Sequence, residues 1–119
     1  MIQEYALSHG STLGFEFSGR VDDKDYEEFV PRVDAAVAEF GQVDILIHFH
    51  GFSGWDLAGF WHDVRFTADH YNKVRRFAVI GESSWQHAVI ELGKPLTGAK
   101  VRYFSEDEVN EAWNWVSNG

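Results

Sequence analysis

Residues 43–50 read Val43-Asp44-Ile45-Leu46-Ile47-His48-Phe49-His50, and this run decides the fold. Its core, Ile45-Leu46-Ile47, has no polar position of the kind a solvated face would need. A strand this apolar belongs inside a sheet that is covered on both sides. Gly51-Phe52-Ser53-Gly54 breaks it. Upstream, residues 2–7 and 13–19 predict two strands joined through Ser8-His9-Gly10-Ser11, a hairpin connection. In the second of these, Leu13, Phe15 and Phe17 alternate with Gly14, Glu16 and Ser18, the period of two of a strand with one apolar face. Between hairpin and central strand, Asp22 is a helix N-cap ahead of Asp23, Asp25, Glu27 and Glu28, acids that suit the first turn. Tyr26, Phe29, Val33, Val37 and Phe40 then recur at helical spacing up to Gly41, a C-cap residue. Pro31 interrupts that pattern and predicts a kink, or two short helices end to end.

Downstream of the central strand, residues 55–69 predict a helix and Val74 to Ile80 a strand closed by Gly81. A helix follows from Ser83 to about Leu92, with Ser83 and Gln86 in capping-box register. A loop with Gly93, Pro95 and Gly98 leads to a short strand from Lys100 to Phe104. Ser105 and Glu108 form a second capping box, opening a final helix with Val109, Ala112, Trp113 and Val116 on one stripe. The order is β-β-α-β-α-β-α-β-α. It predicts a single α/β domain over residues 1–119: a mixed, mostly parallel five-stranded sheet with an N-terminal β-hairpin and about four helices. Sites in such sheets gather beyond the carboxyl ends of the parallel strands. Here those are residues 50–55, 81–85 and 104–106.

The composition narrows the function classes. Ten basic against 19 acidic residues leave a formal charge of −9, which repels phosphate backbones and anionic lipid headgroups. No nucleic-acid partner is expected, and peripheral membrane contact gains nothing from charge. The absence of cysteine removes disulfides, thiolate metal sites and thiol nucleophiles together. No apolar run reaches the length of a membrane span, and the N-terminus lacks a secretory pattern, so the expected compartment is the cytoplasm. There is no GxGxxG after the first strand and no P-loop lysine, and no cofactor is expected. The unusual figure is an aromatic content of 16%. Large aromatics are core and interface material, so the surplus asks what it packs against.

The helix over 55–69 concentrates that question. Leu57, Phe60, Trp61, Val64 and Ala68 share its sheet-facing stripe, while Trp55, Gly59, His62 and Phe66 share the opposite one. A helix apolar on two faces is buried on both, covered by a partner such as a second copy, or walls a cleft for an apolar ligand. His48 and His50 lie on one face of their strand, and such a pair can share a metal ion. A third ligand has no specific candidate beyond His62, His87 or Asp56, and the competing reading is that the pair are hydrogen-bonded histidines at the head of the sheet. Ser53, with His50 and Asp56 close in sequence, falls one residue short of the G-x-S-x-G elbow. Members three residues apart seldom converge, so N-capping or phosphate acceptance suits Ser53 better than nucleophilic attack.

Taken with the strand before it, Phe52-x-Gly54-Trp55-x-x-x-x-x-Trp61-x-Asp63 resembles the central motif of the SpoIIAA-like bacterial proteins. These are small stand-alone relatives of the STAS fold, also compared with the lipid-binding CRAL-TRIO fold. The likeness continues in Gly19-x-Val21-x-x-x-Asp25-Tyr26, Pro31, Arg76-x-Ala78-Val79-x-Gly81, Trp85 and Phe104, and covers nearly the whole chain. It implies a binding module without an established catalytic residue, with a ligand of lipophilic or membrane-peripheral character. STAS proteins of the anti-sigma-antagonist type carry a phosphorylatable serine in an Asp-Ser loop before the corresponding helix. Ser53 falls in that loop, but Phe52 replaces the aspartate. The resulting expectation is a non-catalytic module that binds a small apolar or lipid-like ligand through Phe52, Trp55, Trp61, Phe66 and Trp85. Its alternatives are an interaction module, as a homodimer or with a Ser53 phosphoswitch, and, more remotely, a metal-dependent enzyme using His48 and His50.

Overall fold

A computed structural model describes residues 1–6, 8–19, 23–50, 74–82 and 100–118. The predicted helices over 55–69 and 83–92, the Asp22 cap and the Ser83–Gln86 capping box lie outside these residues. The described elements are β1 (Ile2–Glu4), β2 (Thr12–Ser18), α1 (Asp23–Phe40), β3 (Val43–His50), β4 (Val74–Gly81) and β5 (Lys100–Ser105). A 3-10 turn (Glu106–Glu108) then leads into α2 (Val109–Ser117). The five strands form one sheet in the order β1-β2-β3-β4-β5. β1 runs antiparallel to β2, and β2, β3, β4 and β5 are mutually parallel. The mixed, mostly parallel sheet predicted from the alternation of elements is the one observed.

Central placement of β3 follows from its apolar sequence. Val43, Ile45, Leu46, Ile47 and Phe49 are all buried, and the two faces of the strand feed two separate cores. On one face Leu13, Phe15, Phe17, Ile45, Ile47, Phe49, Phe77 and Val79 pack against Phe29, Val33 and Ala36 of α1. Phe29 stands edge-on to Phe15 at 4.8 Å and to Phe17 at 5.4 Å between ring centroids, the arrangement aromatic quadrupoles favour. On the other face Leu46, Ala78, Ile80 and Phe104 pack against Ala112 and Val116 of α2. Trp113 and Trp115 close the margins of that second core. Fully burying one such side chain is worth about 1.5–3 kcal/mol, so the two cores supply the main favourable term in folding.

α1 is one helix through Pro31, which corrects the second of the two readings of that residue, two short helices end to end. Proline removes one N–H and crowds the carbonyl four residues back, but its ring is exposed and leaves the buried stripe of Phe29, Val33 and Ala36 intact. Phe40, which recurs at the same helical spacing as Phe29 and Val33, is exposed. It is the last residue of α1, and Gly41 turns the chain immediately after it at φ +80°, with its N–H donating to the Val37 carbonyl at 2.8 Å. That left-handed C-cap is the one expected of Gly41.

Asp44 of β3 and Arg75 and Arg76 of β4 are paired. Asp44 is buried, and its two carboxylate oxygens accept from Nε and Nη2 of Arg75 at 3.0 and 2.6 Å. This bidentate fork pushes the Arg75 guanidinium further up from its ordinary range, through the hydrogen bonds first and the charge of Asp44 second. Arg76, its neighbour, lies over the Trp115 ring at 5.1 Å and donates to the Trp115 carbonyl at 2.6 Å. No helix among the described residues is long and apolar enough to cross a membrane.

Candidate functional site

The carboxyl ends of β3, β4 and β5 lie side by side, and the strand register sets their side chains in rows. Glu16 of β2 pairs with His48, His48 with Ile80, and Ile80 with Phe104. Because partners in a sheet share a face, Glu16 and His48 project on the α2 side of the sheet. His50, two residues on, projects on that side as well. The rings of His48 and His50 are 6.3 Å apart at 79°.

His48 is half-buried and held. Its Nδ1 is 2.9 Å from the Tyr5 hydroxyl, and its Nε2 is buried without a hydrogen-bond partner among the described residues. Burial lowers the imidazole pKa below its ordinary value. The charges of Glu16 and Glu106 pull the other way, and His50 adds to the lowering. The neutral ring carries a lone pair and one N–H, and Tyr5 engages one of the two nitrogens. Burial, and secondarily the charge of Glu16, pushes the Tyr5 hydroxyl up to about 12, so it is a neutral partner throughout the ordinary pH range. Tyr5 is itself fixed by its backbone N–H donating to the Gly14 carbonyl at 2.7 Å and by packing on Trp113.

Glu106 completes the cluster from the opposite side. It opens the turn that follows β5, where the Ser105 backbone N–H and hydroxyl donate to Glu108 Oε1 at 2.9 and 2.7 Å. The predicted Ser105–Glu108 capping box therefore forms, and it leaves Glu106 free of the cap. One donor atom from each of His48, His50 and Glu106 lies within 4.8 Å of the other two. His50 and Glu106 are exposed. Further negative charge surrounds them. Tyr103 donates its hydroxyl to the Gly81 carbonyl at 3.0 Å, and its pKa is raised by burial first and then by Glu108, Glu106, Asp107 and Glu82.

Of the sequence-derived residues, the structure brings His48 and His50 together at the expected end of the sheet. Phe52, Ser53, Trp55, Trp61, Phe66 and Trp85 lie outside the described residues, as do His62, His87 and Asp56. Tyr5 and Glu106 are the contributors that sequence reading missed. Residues 104–106 stand out in the sequence as a strand-end loop, but the acidic run hid Glu106 among helix first-turn residues. Tyr5 carried no local signal, since its partner is 43 positions away.

Comparison with protein families finds a match over residues 12–117 to the model described as SpoIIAA-like. Among solved structures, the chain resembles an uncharacterized protein of the DUF3478 family with a SpoIIAA-like fold, from Shewanella loihica PV-4. The TM-score is 0.68 at 22% identity, covering 98% of this chain and 92% of that one. Comparison with curated proteins finds no match.

Proposed function

The chain belongs to the SpoIIAA-like family, and on that premise we propose that it is a non-catalytic STAS-type module that binds a small apolar or lipid-like molecule. The observation that carries the reading is the adjacency of β3 and β4, parallel strands that end at His50 and Gly81. Phe52, Trp55, Trp61 and Phe66 follow the first of these ends in sequence, and Trp85 follows the second. Ligand sites of open parallel sheets lie beyond such carboxyl ends, and pockets for small molecules are lined mainly by apolar and aromatic side chains. Five aromatics of the chain thus follow, in sequence, the strand ends beyond which such sheets bind their ligands.

The test is titration of the purified chain with fatty acids of graded length, followed by tryptophan fluorescence and native mass spectrometry. Saturable quenching with a matching mass adduct, both weakened in Trp55→Ala, is the expected result. Neither signal across common lipids would overturn the reading. A dimer in sedimentation that Trp55→Asp converts to monomer would instead assign these aromatics to self-association. Phosphate on Ser53 in cells would recast the module as a switch.

A further inference from the structure

We propose that His48, His50 and Glu106 form a binding site for a divalent transition-metal ion, with zinc the best match to their chemistry. The site stands apart from the apolar-ligand reading and rests on different residues. Its first support is convergence. β3 delivers two imidazoles on one face, the turn after β5 delivers a carboxylate, and the three donor atoms lie within 4.8 Å of one another. Ligands about 2.1 Å from a tetrahedral zinc ion are about 3.4 Å apart, so each donor has little more than an ångström to close. His50 and Glu106 are exposed side chains, and rotation about their own bonds covers that distance.

The second support is the state of His48. Tyr5 engages Nδ1, and the remaining nitrogen, Nε2, is buried without a hydrogen-bond partner among the described residues. A buried polar atom left in that condition has lost its water and gained nothing in exchange. With the Nδ1–H donating to the Tyr5 oxygen, Nε2 presents its lone pair, and a cation satisfies it. A ring nitrogen held by a neighbour while the other one ligates is the usual arrangement of metal-binding histidines. The third support is charge. Glu16 stands beside His48 in the register, and Glu82, Asp107 and Glu108 crowd the same end of the sheet, so the potential there favours a cation. Two imidazoles with one carboxylate select zinc and its first-row neighbours over magnesium or calcium, which prefer oxygen donors.

The experiment uses the full chain, stripped with chelator, equilibrated with zinc and dialysed, with bound metal read by elemental analysis and affinity by calorimetry. The wild type and His9→Ala, which changes a histidine outside the cluster, are expected to retain a single equivalent. His50→Ala is expected to fall to background, and Glu106→Gln to bind at least about tenfold more weakly, with circular dichroism showing both folded. Cobalt substituted for zinc should give the intense visible bands of a low-coordinate site, and excess magnesium should not displace either ion. Background retention in the wild type, unchanged affinity in either variant, or displacement by magnesium would overturn the site.

Discussion

Gly14 shows how tightly the face beneath the histidines is set. It lies in β2, and a Cβ added there would meet Trp113 Cζ3 at 2.8 Å and Tyr5 Cδ2 at 2.9 Å. Both are ring atoms in side chains that close the second core, so neither yields as a flexible chain end would. Gly14→Ala is therefore expected to destabilise the fold by about 1–3 kcal/mol. The same substitution presses on Tyr5, the partner of His48, and on Trp113, which His9 packs against, so the ring signals of both histidines in a nuclear magnetic resonance spectrum should shift. An unchanged denaturation midpoint would show that the rings repack without cost. At this scale the sequence was half legible. Period-two alternation was enough to pair His48 with His50 on one face. It carried nothing about Tyr5 or Glu106, because those contacts are created by the register between distant strands.

The turn after β5 belongs to the scale of elements. Ser105 and Glu108 were readable as a capping box from a spacing of three residues, and the box is present. Ser105→Ala removes the hydroxyl and is expected to cost about 1 kcal/mol. Its signature is local: faster amide hydrogen exchange in the first turn of α2, with the sheet amides unchanged. The hydrogen bond from the Ser105 backbone N–H, followed by that from its hydroxyl, holds the Glu108 carboxyl below its ordinary value. The cap's contribution is thus fully present above the ordinary carboxylate range and is lost as pH falls through the lower folded value. Strands β3, β4 and β5 are readable within a residue of their observed ends: β3 and β4 each hold a dense apolar run stopped by glycine, and β5 alternates Lys100 and Arg102 with Val101 and Tyr103 before a capping serine. α1 was less so. Pro31 argued for a break, and what overrode it was tertiary packing, which buries Phe29, Val33 and Ala36 along one continuous stripe.

For the whole molecule, the raised Tyr5 pKa links stability to alkaline pH. Below pH 10 the phenol is neutral in both folded and unfolded chains and contributes no pH dependence. Between 10 and about 12 the unfolded chain ionises first, so stability falls as pH rises through that window. Partial exposure of the ring reduces the effect to about 1 kcal/mol. Denaturant midpoints measured from pH 9 to 12 in the presence of EDTA should fall less steeply in Tyr5→Phe than in the wild type. Equal slopes would place the loss elsewhere. The fold class was legible because strand and helix periodicities alternate along the chain and only a few right-handed topologies satisfy that alternation. The strand order has a consequence for how the protein is made. Each strand pairs with its predecessor in the chain, so during synthesis every new strand joins the edge left by the last, and none must be wedged between two already in place. Growth ends on deterrents at both sides: β1 is only three residues long, and β5 exposes Lys100 and Arg102. Short and cationic borders of this kind discourage a neighbouring chain from adding a sixth strand.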